Sequence, residues 1–253
     1  MRLTVLGTGT VAPLPERTAA AYWVESAGVT LLMDCGAGTM NRCARFGIPW
    51  HQATHVAITH FHVDHWGELP AFLFAGRWGT LPPRSAPLIV IGPAGFRTRL
   101  VVLAGALGDW VLDPGYPLEI REIAPHAPME LTPGVTLEAC RTPTHTPESL
   151  AYSVRAEGRR LVYTGDTGPD EALGRWANPC DLLVAECSLP DGQGISIHLT
   201  PSQAGDLARA AAAKRLVLSH FYPPVEGTDP AGVARRAFPG EVIAAKDGDT
   251  FNL

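Results

Sequence analysis

The sequence contains no Cys-x-x-Cys pair, and its five cysteines are widely separated. An odd number of scattered cysteines argues against a disulfide framework and against a zinc site built from thiolates. We therefore expect these cysteines to be buried, reduced thiols.

Long apolar runs are also absent from the chain. No stretch approaches the roughly 20 apolar residues that a membrane-spanning helix needs. The apolar part of the first seven residues is too short for a signal peptide, and this segment predicts a first strand instead. We expect a cytoplasmic protein that makes no membrane contact.

The chain has little clustered positive charge. The formal net charge is −5, and the basic pairs Arg159-Arg160, Lys214-Arg215 and Arg235-Arg236 are isolated from one another. Proteins that bind long stretches of phosphate backbone usually present a basic face. The sequence shows no such face, so a nucleic acid is a weakly supported partner.

The remaining composition is that of one folded unit. Of the 253 residues, 46% are hydrophobic and 18% are charged, which is enough for one sizeable core. The 26 glycines and 23 prolines are scattered and predict many tight loops rather than a disordered tail. We expect a single domain over residues 1–253.

Strand and helix signals alternate along the chain, which predicts an α/β fold. Residues 21–24 and 29–33 predict a hairpin that turns at Ala27-Gly28. Thr200-Pro201-Ser202-Gln203 has the pattern of a helix N-terminus with a capping box. Further strands are predicted at 3–6, 55–59, 88–91, 118–123, 135–142, 150–156, 160–163, 182–185 and 216–218, and further helices at 40–46, 67–75 and 95–107.

Four of the predicted strands end on a polar residue that can bind a metal ion. These residues are His60, Asp166, Glu186 and His220. Strand ends that meet at one edge of a packed sheet form a rigid platform for functional side chains. A random scatter of nine histidines would not produce this pattern.

The densest group of candidate ligands is His60-Phe-His62-Val-Asp64-His65. Residues two apart in an extended turn point the same way, so His60 and His62 can share one metal ion. Asp64 and His65 enter the next helix and face a second ion. Imidazole and carboxylate are ligands that zinc accepts, and manganese or iron is also compatible. This spacing predicts a metal centre rather than a coincidence of surface residues.

The local group is too small to fill two metal sites. The strand-end pattern and the order of residues along the chain add His145, Asp166 and His220 as further ligands. Three of the other histidines, His51, His55 and His126, are expected at the surface or as capping residues.

The chain resembles the metallo-β-lactamase superfamily, and within it the ribonuclease Z branch with its phosphodiesterase relatives. The resemblance spans nearly the whole chain. The matching motifs are Leu6-Gly7-Thr8-Gly9, Asp34-Cys35-Gly36-Ala37-Gly38-Thr39, Thr59-His60-Phe61-His62-Val63-Asp64-His65, Gly165-Asp166-Thr167, Glu186-Cys187-Ser188, His198-Leu199-Thr200 and Ser219-His220-Phe221. The resemblance implies a four-layer αββα sandwich of two mixed sheets flanked by helices.

The resemblance also implies how the ligands divide between two divalent metal ions, for which zinc is expected and Mn²⁺ or Fe²⁺ is possible. His60, His62 and His145 would hold one ion, and Asp64, His65 and His220 the other. Asp166 would bridge them together with a hydroxide that attacks phosphorus.

The resemblance gives catalytic roles to Asp64, which is also a ligand, and to Glu186 and His198. In this branch such a carboxylate holds the imidazole as the general acid that protonates the leaving alkoxide. Thr167 and Ser219 are candidates for hydrogen bonds to the ligands. The resemblance further implies a homodimer.

The segment that would correspond to the basic, tRNA-gripping arm of ribonuclease Z is short and apolar. Residues 96–116 carry Arg97 and Arg99 but are otherwise rich in aliphatic and aromatic side chains. Binding through many phosphates requires many cations. We therefore expect a phosphodiesterase that acts on small or generic phosphodiesters, so that a small molecule is the expected partner.

Four alternatives stay open at this point. They are processing of tRNA 3′ ends with a partner that supplies a basic surface, hydrolysis of a lactone, ester or thioester, an oxygen-handling di-iron protein, and a β-lactamase. His62 argues against the di-iron protein, in which a carboxylate usually replaces this histidine. Asp166 argues against a β-lactamase, because those enzymes commonly differ at this place.

Overall fold

The computed structural model describes all 253 residues, whose strands form two sheets of seven strands each. The first sheet contains, in spatial order, β14 (Thr250–Asn252), β1 (Arg2–Gly7), β2 (Ala21–Ser26), β3 (Val29–Met33), β4 (His55–Ala57), β5 (Leu88–Gly92) and β6 (Leu118–Glu122). The second contains β13 (Glu241–Ala244), β12 (Arg215–Ser219), β11 (Leu182–Glu186), β10 (Arg159–Tyr163), β9 (Leu150–Ala156), β8 (Val135–Arg141) and β7 (Met129–Thr132).

Seven helices cover the outer faces of the two sheets. They are α1 (Thr39–Arg45), α2 (Val63–Trp66), α3 (Leu69–Trp78), α4 (Phe96–Leu107), α5 (Glu171–Ala177), α6 (Pro201–Ala210) and α7 (Pro230–Ala234). No helix in the structure combines the length and the apolar character that crossing a membrane would require.

Three apolar clusters hold these layers together. The largest lies between the sheets, where Val5 and Tyr22 of the first sheet pack with Leu137 and Tyr152 of the second. A second cluster joins the first sheet to α1, α3 and α4, and a third joins the second sheet to α5, α6 and α7. Alternate residues of a strand point to opposite faces, so each sheet is apolar on both sides. The predicted αββα sandwich is confirmed.

The mixed direction of the strands brings the candidate site residues to one edge. Strands β3 to β6 are parallel to one another, and so are β10 to β13. In such sheets, ligands bind beyond the carboxyl ends of the strands. Asp34, His60, Asp166, Glu186 and His220 all lie at or just after such ends.

Several predicted details are confirmed and others are wrong. The capping box of Thr200 and Gln203 is present at the start of α6, and all five cysteines are free and buried. The sequence did not predict β7, β13, β14, α5 or α7 as elements. Strand β4 ends at Ala57 rather than at residue 59, because the backbone leaves the sheet before it reaches the histidines.

Candidate metal centre

The backbone around Gly36 positions the first candidate ligands. The N–H of Cys35 donates to the carbonyl of His65 at 2.6 Å, and the N–H of Glu68 donates to the carbonyl of Cys35 at 3.0 Å. A Cβ atom at Gly36 would collide with the carbonyl oxygen of Asp64. The loop after β3 therefore lies directly against α2 and fixes where Asp64 and His65 point.

Four side chains form the first donor group, defined as His60, His62, His145 and Asp166. His62 Nδ1 lies 3.1 Å from His60 Nε2 and 2.9 Å from His145 Nε2. The Oδ2 atom of Asp166 lies 3.8 Å from His60 Nε2 and 3.5 Å from His145 Nε2.

The second donor group consists of Asp64, His65 and His220. His65 Nε2 and His220 Nε2 are 3.3 Å apart, and His220 Nε2 lies 3.4 Å from Asp64 Oδ2. The Oδ1 atom of Asp166 is 3.2 Å from His65 Nε2 and 3.4 Å from His220 Nε2. Asp166 therefore turns one oxygen toward each donor group, which is the arrangement that a bridging ligand requires.

The chemistry of these atoms fits bound cations. Zinc–nitrogen bonds of about 2.0 Å at tetrahedral angles place ligand atoms about 3.3 Å apart, close to the spacing of these imidazole nitrogens. Asp166 Oδ1 is buried and has no hydrogen-bond partner. Burial of an unpaired polar atom is energetically unfavourable, and a bound cation would remove this penalty. The residues present therefore fit two divalent ions.

The environment of three candidate ligands favours the protonation state that metal binding needs. Burial holds the pKa of His60 well below its usual range, and the charge of His65 adds to this effect. Burial likewise lowers the pKa of His145 to about 4, against the opposing charge of Asp166. Burial alone would raise the pKa of Asp64, but the contact with His220 lowers it to about 2. Neutral imidazole and ionised carboxylate are the forms that bind metals. At His65 burial opposes the charged imidazole, but the carboxylates of Asp166 and Asp34 outweigh it and raise the pKa.

A buried aspartate to which the sequence analysis gave no role in the site supports the second donor group. Asp34 Oδ2 lies 2.7 Å from His65 Nδ1 and accepts a hydrogen bond of 2.7 Å from the Tyr163 hydroxyl. Asp34 Oδ1 accepts the N–H of Thr59 at 2.7 Å. The position of Asp34 directly after β3, like those of His60 and His220 after their strands, is the signal that could have identified it.

Ser188 is the second residue that the sequence did not predict as part of the site. Its hydroxyl donates to Glu186 Oε2 at 2.6 Å and lies 2.9 Å from His220 Nδ1. Because that single hydroxyl proton is used, His220 Nδ1–H donates to the serine oxygen and Nε2 is left to face the donor group. Thr167 and Ser219 do not hydrogen-bond to the ligands: Thr167 donates its N–H to Glu186, and Ser219 accepts from Tyr22.

Glu186 and His198 form a buried pair beside both donor groups. His198 Nδ1 lies 3.0 Å from Glu186 Oε1 and 4.0 Å from Asp166 Oδ2. Glu186 also accepts the N–H groups of Thr167 and Leu199, which fix its carboxylate. Burial opposes a charged imidazole, but the hydrogen bond and charge of Glu186 outweigh it and raise the pKa of His198 above its usual value.

The remaining histidines lie outside the centre. His51 and His126 are exposed, as predicted. The prediction for His55 is wrong: its side chain is buried, with 4% of its surface exposed, because it starts β4 between two parallel neighbours.

A four-layer αββα sandwich with histidines and aspartates gathered at its strand ends defines a metal-dependent hydrolase. The model of the β-lactamase superfamily domain matches residues 30–221 of the chain. The chain belongs to the metallo-β-lactamase superfamily and, by its curated relatives, to the ribonuclease Z-like branch.

Two relatives illustrate this membership, and a third solved structure shares the fold. Ribonuclease Z of Myxococcus xanthus is 30% identical over 311 aligned residues, which cover 100% of this chain and 98% of the relative. The crystal structure of human tRNase Z, short form, has a TM-score of 0.81 and 26% identity, and the match covers 100% of this chain and 99% of the human chain. The metallo-β-lactamase fold protein YhfI of Bacillus subtilis has a TM-score of 0.85 at 22% identity, and the match covers 99% of this chain and 98% of YhfI.

Proposed function

We propose that the chain is a dinuclear-metal phosphodiesterase that acts on small phosphodiesters. The observation that carries this proposal is the Glu186–His198 pair, which lies beside both donor groups with His198 Nδ1 3.0 Å from Glu186 Oε1. An oriented imidazole next to a metal centre suits reactions that expel a poor, strongly basic leaving group. Cleavage of a phosphodiester expels such an alkoxide.

The side chains of the two donor groups would hold the metal ions beside which the substrate reacts. His60, His62 and His145 are assigned to one ion, Asp64, His65 and His220 to the other, and Asp166 to both. Two divalent ions held there, of which zinc is the expected one, would supply activation of a water nucleophile and stabilisation of negative charge on the phosphoryl group.

The protein's own groups then move the proton. Since Glu186 occupies Nδ1 of His198, Nε2 is the nitrogen that can give its proton to the leaving oxygen. Asp64 stays ionised, with a pKa of about 2, and acts as a ligand throughout.

The preference for a small substrate rests on the segment of residues 96–116. Helix α4 packs through Phe96, Leu100 and Ala104 against the first sheet rather than protruding as an arm. Its two arginines are engaged: Arg97 donates to the carbonyl of Ile120, and Arg99 pairs with Glu148. Few cations are left there to bind phosphates of a long nucleic acid.

Processing of tRNA 3′ ends is the second candidate function. The names of the Myxococcus xanthus relative and of the human structure favour it. The alignment with the bacterial relative extends over 311 residues, more than the 253 of this chain, so that relative carries insertions absent here.

The test is turnover by the zinc-loaded protein of bis(p-nitrophenyl) phosphate, a precursor tRNA and an aryl lactone, with Asp166→Ala as the inactive control. Diester cleavage without tRNA cutting supports the proposal. Specific tRNA cutting favours the second candidate. Absence of diester cleavage with both metals bound overturns the proposal and favours carbon esters or lactones.

A homodimer remains a prediction from the family. Helix α3 exposes Phe74 and Trp78, and the Phe74 ring packs against both Trp78 and Trp110. Such an apolar surface suits a second copy of the chain. Sedimentation equilibrium of the zinc-loaded protein measures the state directly.

A further inference from the structure

A pocket of about 440 Å³ opens beside the proposed metal centre. Its walls include Phe61 before α2, Trp66 at the end of α2, Arg99 and Val102 of α4, and Glu148 of the loop before β9. His62, a member of the first donor group, also lines it. The pocket is therefore continuous with the place where the reacting group of the substrate is proposed to bind.

One wall of this pocket is a stack of flat groups. The guanidinium carbon of Arg99 lies 3.9 Å from the centre of the Phe61 ring, and the Phe61 ring is nearly parallel to Phe96, at 18° with centres 6.2 Å apart. Trp66 packs edge-on against Phe61 with ring centres 5.4 Å apart. A guanidinium over an aromatic ring can also be contacted on its other side by a planar group.

The charge of this wall is already neutralised. Arg99 Nη2 lies 3.3 Å from Glu148 Oε1, so the guanidinium is paired within the pocket itself. A second phosphate of a substrate would have to displace or face the carboxylate of Glu148. The pocket therefore disfavours an additional anion and suits an uncharged group.

The part of the lining that follows Arg99 along α4 is apolar and open to a ligand. Val102 exposes 68% of its surface into solvent although it lines the pocket, and Leu103 beside it is partly buried. A planar organic group bound here would cover this apolar surface, which contributes roughly 25 cal/mol for each Å² removed from water.

We propose that this pocket binds an uncharged aromatic or heteroaromatic substituent of the substrate while the phosphoryl group lies at the donor groups. The inference rests on the proposed function for the placement of the phosphoryl group. It makes the substrate class narrower: phosphodiesters that carry a flat, neutral ring are preferred over those with small alkyl groups or further phosphates.

The test compares two ligands that cannot be hydrolysed, phenylphosphonate and methylphosphonate, by titration calorimetry with the zinc-loaded protein. The wild type is expected to bind phenylphosphonate about tenfold more tightly, because only its ring can fill the pocket. Val102→Glu, which places a carboxylate in the pocket at an exposed position, is expected to abolish this preference. Val102→Ala, which introduces no charge, is expected to reduce it.

The matched control is Val101→Glu. Val101 is the preceding residue of α4 and is also exposed, at 52%, but it does not line the pocket. This variant should keep the preference for phenylphosphonate. Equal affinities in the wild type, or an unchanged preference in Val102→Glu, would overturn the inference.

Turnover separates the inference from the proposed function. Phenyl p-nitrophenyl phosphate and methyl p-nitrophenyl phosphate share a leaving group and differ only in the second substituent. If the binding preference depends on Val102 but neither diester is turned over, the inference about the pocket is supported and the proposed phosphodiesterase activity is overturned. Turnover of both diesters at equal kcat/KM, with no binding preference, overturns the pocket alone.

Discussion

The carboxylate of Asp34 lies 2.7 Å from Nδ1 of His65, although 31 positions separate the two residues along the chain. Both side chains are completely buried. Because Nδ1 of His65 contacts Asp34, Nε2 on the other side of the imidazole ring faces Asp166 and His220. Such a carboxylate fixes the orientation of an imidazole ligand and increases its basicity.

Replacing Asp34 by Asn should weaken binding of one metal ion more than the other. The amide keeps the size of the carboxylate but removes its charge, so His65 is oriented less firmly. We expect affinity at the second donor group to fall by about 10–100-fold. Competition with a chromophoric chelator measures both affinities. The control is Asp170→Asn at the exposed start of α5, where Asn is an equally good cap. Equal affinities for Asp34→Asn and wild type would contradict the proposed role.

His198→Ala should separate metal binding from turnover. His198 lies close to Asp166 and His220, but its Nδ1 contacts Glu186 and it belongs to neither donor group, so both metals should stay bound. Turnover should fall by about 10²–10⁴-fold for a diester with an alkyl leaving group, and much less for p-nitrophenolate, which needs no protonation. Asp166→Ala, in contrast, should lose metal and activity together. Metal content by emission spectroscopy and kcat on both substrates check this prediction. A loss of turnover that is the same for both leaving groups would remove the general-acid role.

His55 should make the protein sensitive to mild acid. Burial, assisted by the charge of Arg121 and opposed by Glu119, lowers the pKa of His55 to about 4. The unfolded chain therefore binds the proton between pH about 6.5 and 4, whereas the folded chain does not. Titration of His55 therefore has no effect on the free energy of unfolding above about pH 6.5. As the pH drops from about 6.5 to 4, it lowers the free energy of unfolding by about 3 kcal/mol.

The variant His55→Leu should lose this dependence. His55 Nε2 is buried without a hydrogen-bond partner, and Nδ1 lies 2.9 Å from Thr54 Oγ1, so leucine removes a single side-chain hydrogen bond there. Urea unfolding with EDTA from pH 4 to 8 measures the free energy of unfolding for both proteins. As the pH falls below about 6.5, the free energy of unfolding of the wild type should decrease relative to that of His55→Leu. Parallel curves would show that His55 does not titrate differently on folding.

Two glycines should respond in opposite ways to substitution by Ala. A methyl group at Gly36 meets the carbonyl of Asp64 and the side chain of Ala19, so the loop under α2 must shift. We expect a loss of about 1–3 kcal/mol in stability, with weaker metal binding. Gly105 lies exposed within α4 with open space around it, and Ala there should add about 1 kcal/mol. Thermal unfolding and chelator competition measure both effects. Retained metal affinity in Gly36→Ala would contradict the link between this loop and α2.

The sequence predicted the parts of the fold and site whose signals are local. His60 to His65 are neighbours in the chain, and α6 carries its own cap, so neither required knowledge of distant contacts. Strands β7, β13 and β14 have four, four and three residues, and their stability comes from pairing with β8, β12 and β1 rather than from their own pattern. Asp34 and Ser188 act through partners that only the folded chain brings near, and His55 is buried by neighbouring strands.

Each donor group takes residues from both halves of the chain. His60 and His62 follow a strand of the first sheet, whereas His145 and Asp166 follow strands of the second. On the proposed assignment, each ion is a non-covalent cross-link between the sheets, and a chain with only one sheet formed holds half a coordination sphere. Metal binding with full affinity then requires that both sheets have formed. The bound ions stabilise only the folded form in which both halves have come together.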